Sequence, residues 1–180
     1  MTDEVDAHEF GGDPDGFERL WTPHRLAYVK SDKPAGESRG CPLCRKAEED
    51  DRAALVVHRG EHCYVVLNLY PYNPGHLMVC PYRHVAMYTE ITDAERDEMS
   101  VLTQRSMTLL ERSSGPQGFN IGMNQGRVGG AGISAHLHQH IVPRWEGDAN
   151  FLPIIGRTKA LPELLDDTWQ RLSAAFREDR

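Results

Sequence analysis

Three histidines at alternate positions constrain the fold of this chain more than any other feature. The segment from Ser134 to Trp145 has the sequence SAHLHQHIVPRW, with histidines at positions 136, 138 and 140. Side chains two residues apart on a β-strand lie on one face, about 6.5–7 Å from one another. The pattern predicts a strand with the imidazoles on one face and Leu137, Gln139 and Ile141 on the other. The row could supply a nucleophile, share a metal ion, or form a polar, solvated strand face.

The spacing of the histidines and their position after a glycine-rich loop weigh against a shared metal ion and a solvated strand face. Metal–ligand bonds are only about 2 Å long, so the strand spacing is wide for three ligands of one ion, although side-chain tilt can bring two of them together. Three imidazoles directly after a glycine-rich loop are a poor match to a plain solvated face. The arrangement suits a row of groups with separate roles along an extended substrate.

The charge of the chain limits its partners. There are 20 Lys and Arg residues against 27 Asp and Glu, a formal net charge of −7, which argues against nucleic acid or an anionic membrane. A phosphate compound would have to be met locally, by main-chain amides, a few arginines or histidines. No apolar run approaches the roughly 18 residues of a membrane span. The acidic N-terminus lacks the apolar segment of a secretory signal, so we expect a cytoplasmic protein.

The order of helix and strand signals predicts one α+β domain on an antiparallel sheet. We expect residues 1–16 to be disordered and acidic, and 17–180 to form the domain, with 17–29 docking through large side chains such as Trp21 and Tyr28. Residues 30–40 are predicted to be a loop, and 145–160 an irregular stretch. Strands are predicted in a hairpin over 55–69 and at 76–81, 118–125 and the histidine segment. One helix is expected from the capping box at Thr92 to Gly115-Pro116, and another over Leu161–Phe176.

A glycine-dense loop immediately precedes the histidine segment. Residues 126–132 read GRVGGAG and contain glycines at 126, 129, 130 and 132. Successive glycine amides can form a concave nest that binds phosphate oxygens without side-chain charge. A flexible hairpin loop is the alternative, but the position next to the histidines favours phosphate binding.

The motif HLHQHIV resembles the signature of the histidine triad (HIT) family of nucleotide hydrolases and transferases. The segment VVLNLYPYNPGHLMVCPYRH upstream is similar to the strand–turn–strand of that family, so the likeness spans about residues 55–145. The tail VPRWEGDANFLPIIG resembles a bacterial branch associated with diadenosine tetraphosphate phosphorylase and hydrolase activity. The resemblance implies a HIT-like domain of about five antiparallel strands with a long central helix and a C-terminal helix. Gln139 departs from the pattern, which has an apolar residue at this position. What the strand face that carries Gln139 packs against is therefore an open question.

The resemblance implies a catalytic role for three histidines. His138 would attack the α-phosphorus and form a nucleotidyl-histidine intermediate. To do so it must be neutral, with its other ring nitrogen held by an acceptor. His140 would donate a hydrogen bond to a non-bridging phosphate oxygen, and His76 would support the same group.

Six residues are candidates for substrate binding: Asn68, Asn124, Arg127, Gly130, Gly132 and Trp145. By resemblance, Asn68 would hydrogen-bond a ribose hydroxyl and Asn124 would contact the phosphate chain. Arg127 is a candidate for the distal phosphates. Trp145 would stack on a base or wall the substrate channel, or would simply pack against the protein.

The four cysteines include one CxxC pair, Cys41 and Cys44. Without an export signal this spacing is more typical of metal binding or redox chemistry than of a disulfide framework. Some histidine triad proteins bind zinc through such a pair, which here implies His84 and His136 as the other ligands and a structural zinc ion. A reduced dithiol is the alternative. Cys63 and Cys80 fall in strand patterns and are expected in the core.

These features leave several functions open. The favoured one is an enzyme that cleaves the α-phosphate bond of a dinucleoside polyphosphate, with phosphate or water as acceptor and no organic cofactor. The alternatives are a nucleoside phosphoramidate hydrolase, a non-catalytic nucleotide-binding sensor, and a metalloenzyme in which the triad holds a catalytic zinc. Adenine nucleotides are the expected partners, and the resemblance implies a homodimer formed by joining sheets.

Overall fold

The computed structural model describes residues 40–148 and 161–179, which form a five-stranded antiparallel sheet with helices. The strands are β1 (Val56–Arg59), β2 (Cys63–Leu67), β3 (Leu77–Pro81), β4 (Gly118–Gly122) and β5 (Gln139–Arg144). The helices are α1 (Pro42–Glu48), α2 (Asp51–Ala54), α3 (Asp93–Ser114) and α4 (Leu165–Glu178), with a 3-10 turn over Tyr88–Glu90. The predicted α+β class, with one long central helix and a C-terminal helix, is confirmed.

Some expectations lie outside the described residues. They concern the disordered N-terminus at 1–16, the docking segment at 17–29, and most of the 30–40 loop and of the 145–160 stretch. The domain boundary at residue 17 falls there too, so it stays a prediction. Within the described ranges, none of the helices is long and apolar enough to cross a membrane.

The strand order is β1-β2-β3-β5-β4, and every neighbouring pair is antiparallel. The predicted hairpin is β1 and β2, and β5 lies between β3 and the edge strand β4. In this register His140 is opposite Met78 of β3 and opposite Gly122 of β4. The histidine segment therefore enters the sheet one strand from its edge.

The two faces of the sheet bury different sets of residues. On one face, α3 and α4 pack on residues such as Val65, Leu77 and Ile141. On the other face Tyr64, Val66, Met78 and Cys80 pack with Cys41 and with Leu43 of α1. Because His140 pairs with Met78, it belongs to this second face, away from the long helix. The sheet thus separates the histidines from the main helical core.

The histidine strand is shorter than the alternation predicts. β5 begins at Gln139, so His136 and His138 precede it. The Leu137 amide donates to the Val85 carbonyl at 2.6 Å instead of to a neighbouring strand. The chain therefore joins the sheet only after Leu137. The predicted alternation of sides nevertheless persists, since Leu137 and Ile141 both lie in the helix-side core.

Two other boundaries and two short helices differ from the prediction. β4 ends at Gly122 rather than residue 125, and α4 begins at Leu165 rather than near Leu161. Residues 42–54 form α1 and α2, two helices that the sequence pattern did not predict. Pro42 at the first turn of α1 and the Asp50 cap of α2 start these short helices.

Gln139 finds a polar partner inside the helix-side face. Its side-chain amide donates to Thr103 Oγ1 on α3 at 2.7 Å, and the Thr103 hydroxyl donates to the Met99 carbonyl at 2.7 Å. A polar residue in this position is therefore satisfied by hydrogen bonds, and it ties the histidine strand to the long helix.

The predicted start of α3 is confirmed and is held by a buried carboxylate. Glu95 accepts from the Thr92 amide at 2.7 Å and completes a capping box with the Thr92 side chain. Its oxygens also accept from Arg83 Nε at 2.7 Å and Nη2 at 2.6 Å. Helix α3 ends at Gly115, which adopts the left-handed conformation with φ 57°. The long helix is therefore fixed to the segment that follows β3.

Replacing Glu95 with Gln should destabilise the protein more at neutral pH than in acid. Hydrogen bonds from Arg83 and Thr92 lower the pKa of Glu95 from 4.5 to about 2. A lowered folded-state pKa adds stability that is complete above the unfolded value and is lost as pH falls from about 4.5 towards 2, here on the order of 2 kcal/mol. Denaturant unfolding at about pH 7 and pH 3 should show that difference at the first pH and less than about half of it at the second, because the folded-state carboxylate becomes protonated only near pH 2. Glu61→Gln, at a side chain that is 85% exposed, is the control; an equal loss at both pH values would contradict the expectation.

Candidate active site and adjoining cysteine–histidine cluster

His138 is nearly buried, with 5% of its surface exposed. Its Nδ1 lies 2.8 Å from the main-chain carbonyl of His136. A carbonyl can only accept, so Nδ1 carries the proton and the lone pair of the neutral ring is on Nε2. Burial lowers the pKa of His138, which the hydrogen bond to His136 only partly offsets. The ring is thus held neutral in the tautomer that a nucleophile needs.

His76 and His140 form a hydrogen-bonded pair beside His138. The Tyr72 amide donates to His76 Nδ1 at 3.1 Å, and since an amide can only donate, the proton of neutral His76 is on Nε2. His76 Nε2 lies 2.9 Å from His140 Nδ1 and donates to it, so His140 is protonated on Nε2. The His138 and His140 ring centroids are 4.9 Å apart. A lone-pair nitrogen and a donor nitrogen therefore belong to adjacent rings of one site.

The turn between β2 and β3 supplies most of the groups that orient His76. Asn68 Nδ2 lies 3.4 Å from His76 Nδ1, while its Oδ1 accepts from the Tyr70 amide at 3.0 Å. The Tyr72 ring lies 4.8 Å from the His76 ring and 6.0 Å from that of His140. Asn68, a predicted ribose ligand, is therefore next to the histidine pair.

We expect the His140 ring to stay neutral well below the pH at which an ordinary imidazole titrates. Burial, followed by the neighbouring His138, lowers the pKa of His140 from 6.5 to about 4. Protonation would also turn Nδ1, the acceptor for His76, into a second donor. An NMR titration of 15N-labelled histidine should show His140 charging only as pH falls towards 4. In a His76→Ala variant the pKa should rise, and titration of wild-type His140 near pH 6.5 would contradict the expectation.

A second cluster of four side chains adjoins this site. Cys41 precedes α1, Cys44 lies in its first turn, and His84 follows β3; together with His136 they offer ligand atoms that all lie within 4.8 Å of one another. Three sulfur-to-Nδ1 distances in the cluster are short. They are 3.4 Å for Cys41–His136, 3.3 Å for Cys44–His136 and 3.2 Å for Cys44–His84. The structure therefore brings together all four residues that were predicted as metal ligands.

The donor set fits a tetrahedral divalent ion. Bonds of about 2.3 Å to sulfur and 2.0–2.1 Å to nitrogen place those donors about 3.5 Å apart around zinc, close to the observed spacings. His136 Nε2 lies 2.9 Å from the Pro81 carbonyl, so Nε2 is protonated and the Nδ1 lone pair points to the sulfurs. Burial and the neighbouring Cys41 raise the pKa of the Cys44 thiol to about 11, so a Cys44 thiolate at neutral pH requires a nearby cation. This Cys2His2 group can bind a metal.

His136 belongs to both sites. Its imidazole lies in the cysteine–histidine cluster, while its carbonyl accepts the Nδ1 proton of His138. Its own side chain is only 1% exposed. The alternative in which the whole triad surrounds one catalytic metal does not match this geometry, because His138 and His140 have other partners.

The glycine-dense loop is built from tight turns. Gly130 has φ 79°, and its amide donates to the Arg127 carbonyl at 3.1 Å. A Cβ on Gly129 would lie 2.3 Å from the Gln125 carbonyl oxygen, so the chain approaches itself too closely for any side chain there. The Gln125 side chain accepts from the Tyr88 amide at 2.8 Å. The loop is therefore held to the 3-10 turn before α3.

The remaining predicted substrate ligands are near this loop or at the far end of β5. Arg127 and Gly132 are exposed on the loop, Asn124 is exposed just before it, and Gly130 is partly exposed; their contact with phosphate stays a prediction. Trp145 follows β5 at the end away from His138, and its indole nitrogen donates to the Ser114 carbonyl at 3.3 Å. This contact with the end of α3 fits the packing alternative for Trp145.

Sequence reasoning missed the contacts that fix the turn before His76. Asn73 and Asp148 hydrogen-bond each other at 2.7 Å, although 75 positions separate them. The signals were an Asn-Pro-Gly turn directly before His76 and an acidic residue in the WEGD segment after β5, and neither shows which partner it meets. The hydrogen bond from the Tyr72 amide to His76 was missed because a pattern of side chains does not show which main-chain amides donate, or to which atoms.

A family model described as HIT domain matches residues 49–147. A Mycobacterium tuberculosis protein named AP-4-A phosphorylase is 46% identical over 170 residues, which cover 92% of this chain and 87% of that protein. An uncharacterized HIT-like protein of Methanocaldococcus jannaschii is 35% identical over 108 residues, covering 60% of this chain and 81% of its own length.

Solved structures show the same fold. A zinc-bound histidine triad family protein from Mycobacterium smegmatis superposes with a TM-score of 0.64 at 23% identity, covering 79% of this chain and 96% of that one. A Plasmodium falciparum diadenosine triphosphate hydrolase superposes with a TM-score of 0.59 at 18% identity, covering 72% of this chain and 80% of that one. At these identities the likeness concerns the fold.

Proposed function

The chain belongs to the histidine triad (HIT) family, and on that premise we propose that it is an enzyme that cleaves dinucleoside polyphosphates, such as diadenosine tetraphosphate, at an α-phosphate bond. The observation that carries the proposal is the His138 ring, whose Nδ1 proton is held by the His136 carbonyl at 2.8 Å. This leaves Nε2 as an unprotonated nucleophile next to a donor on His140. The relative named AP-4-A phosphorylase, 46% identical over most of this chain, supports the substrate class.

In the first step His138 Nε2 attacks the α-phosphorus. The new N–P bond forms as the P–O bond to the leaving nucleotide breaks, so diadenosine tetraphosphate gives an adenylyl-histidine and ATP. The His140 Nε2–H donates to a non-bridging oxygen, whose negative charge grows as the five-coordinate centre develops. His76 keeps His140 in the donating tautomer through its own Nε2–H, 2.9 Å from His140 Nδ1.

In the second step an oxygen nucleophile attacks the same phosphorus and the N–P bond breaks. Orthophosphate as acceptor releases ADP, and water releases AMP. Both routes share the intermediate on His138, and the relative's name favours phosphate. We therefore propose phosphorolysis as the main reaction and hydrolysis as its competitor.

The substrate contacts follow from the chemistry of the chain. With a net charge of −7, the phosphates need local main-chain donors, which Gly130, Gly132 and their neighbours in the glycine-dense loop can supply. We propose Asn124 and Arg127 as further phosphate ligands and Asn68 as a ribose ligand. Trp145 remains a candidate wall for the base.

We further propose that the cysteine–histidine cluster holds a structural zinc ion, ligated by Cys41, Cys44, His84 and His136. The ligand distances and the Nδ1 lone pair of His136 support this assignment. Such an ion would fasten α1 and the segment after β3 to the chain just before His138. The four cysteines form no disulfide, which fits the reducing cytoplasm that we propose as the location.

The direct test is incubation of the purified protein with diadenosine tetraphosphate, with and without orthophosphate, and identification of products by mass spectrometry. ADP and ATP that appear only with phosphate support phosphorolysis. AMP and ATP without phosphate make the protein a hydrolase. Turnover of nucleoside phosphoramidates alone, or nucleotide binding without turnover, would replace the proposal with the corresponding alternative.

We propose that two copies of the chain join along β4. This strand is an edge of the sheet, and Asn120, Ile121 and Gly122 are exposed on it. An edge strand with an exposed apolar side chain is a ready surface for strand pairing. Light scattering should report a dimer, and Ile121→Lys should shift it towards monomer. A monomeric wild-type protein at micromolar concentration would overturn this proposal.

A further inference from the structure

The turn that carries His76 is attached to the far end of the histidine strand. Asn73 Nδ2 donates to the Pro143 carbonyl at 2.9 Å and to Asp148 Oδ2 at 2.7 Å. Pro143 lies in β5, three residues after His140. The β2–β3 turn and β5 are thus joined twice, once by the His76–His140 hydrogen bond and once by the Asn73 side chain.

The Asp148 carboxylate is itself rigidly held. It accepts from Arg144 Nε at 2.6 Å, from Arg144 Nη2 at 2.7 Å and from the Trp145 amide at 3.1 Å. Its side chain is only 12% exposed. Hydrogen bonds from Arg144 hold the pKa of Asp148 well below its usual range. A two-point pairing with arginine fixes the direction of the carboxylate as well as its charge, so Asp148 offers Asn73 a fixed acceptor.

Asn73 in turn fixes the groups that set the His76 ring. The Asn73 carbonyl accepts from the His76 amide at 3.2 Å, and the residue before Asn73, Tyr72, donates its amide to His76 Nδ1. Holding the Asn73 side chain therefore holds the main chain on both sides of it. A shift here would release His76 Nδ1, and with it the tautomer that donates to His140.

We propose that Asn73 and Asp148 are positioning residues that keep His76 in the tautomer and place from which it orients His140. The inference rests on the proposed function, in which His140 acts on the reacting phosphate. Both act through the turn, since the Asn73 side chain donates to the Pro143 carbonyl and to Asp148 while its carbonyl accepts from the His76 amide. Small displacements of a catalytic group cost rate far more than they cost substrate binding.

The experiment compares Asn73→Ala, in wild-type and in His76→Ala backgrounds, by steady-state cleavage of diadenosine tetraphosphate. In the wild-type background kcat should fall about 10-fold or more with KM changed by less than about 2-fold. In the His76→Ala background the same change should have almost no further effect, because the two residues act as one unit. Equal fold-losses in both backgrounds, or a change confined to KM, would overturn the proposal.

A matched control and an activity-free readout complete the test. Asn120→Ala removes an amide oxygen that accepts from Arg144 at 2.7 Å, but Asn120 lies outside the turn and its loss should leave kcat unchanged. In 15N NMR, His76 should be Nε2-protonated in the wild-type protein and a mixture of tautomers in Asn73→Ala. Asp148→Asn should give the same change to a smaller extent, so the test remains possible if Asn73→Ala folds poorly. An unchanged tautomer in both would refute the positioning role, whereas absent cleavage by the wild-type protein with the tautomer shift intact would refute only the proposed function.

Discussion

Replacing His138 with alanine is expected to lower the cleavage of diadenosine tetraphosphate by at least about 10⁴-fold. The reason is that the proposed reaction forms one covalent bond between protein and substrate, at His138 Nε2. Loss of a covalent nucleophile removes the whole reaction path. The neighbouring His140 cannot replace it, because its Nδ1 accepts from His76 and its Nε2 carries the proton. The measurement is kcat/KM for product formation in the presence of orthophosphate.

The intermediate gives a second, independent readout. Wild-type protein mixed with substrate in the absence of orthophosphate and quenched in alkali should carry one adenylyl group by intact-protein mass spectrometry, and His138→Ala should carry none. His62→Ala is the matched control, since that side chain is 40% exposed next to Glu61. Retention of activity within about tenfold of wild type, with the variant folded, would rule out nucleophilic catalysis by His138.

Loss of one cysteine of the cluster is expected to have the largest effect on stability. Wild-type protein should contain about one zinc ion per chain, and Cys44→Ala should contain almost none. Zinc binding to a preformed site contributes several kcal/mol to folding, so Tm should fall by about 10 °C or more. Cleavage should weaken as well, because the His136 carbonyl that holds His138 belongs to one of the proposed metal ligands.

Elemental analysis and thermal unfolding with and without a chelator measure these effects. Cys63→Ala is the control: Cys63 is fully buried but lies in the helix-side core, so its loss should cost some packing energy and no metal. Full metal content in Cys44→Ala, or a wild-type Tm that a chelator leaves unchanged, would contradict the zinc assignment.

The sequence was a good guide wherever a local pattern determines the structure. The capping box at Thr92, the glycine at 115 and the β1–β2 hairpin are decided by neighbouring residues, and all three are present. The four metal-ligand candidates were also predicted correctly as a group. The spacing identified only the CxxC pair, and the likeness to a known family identified the two histidines. Gln139 posed a question that required the tertiary contact with Thr103 for an answer.

What the sequence could not predict depends on contacts between distant segments. The histidine strand begins late because the Leu137 amide pairs with Val85, some fifty positions earlier. The Asn73–Asp148 bond likewise joins distant segments, and its partners are ordinary loop residues when read singly. Periodicity reports which side of a strand a residue is on, but it carries no information about where a main-chain amide finds its acceptor.

Main-chain atoms decide the protonation of three histidines: the Tyr72 amide for His76, the His136 carbonyl for His138 and the Pro81 carbonyl for His136. Such atoms do not ionise, and they are present with any side chain except that proline at position 72 would remove the donating amide. The side chains at positions 72 and 81 can therefore change without changing which ring nitrogens of His76 and His136 carry the protons. The chemistry is thus protected against many point mutations and exposed to those, such as insertions in the turn, that move the backbone itself.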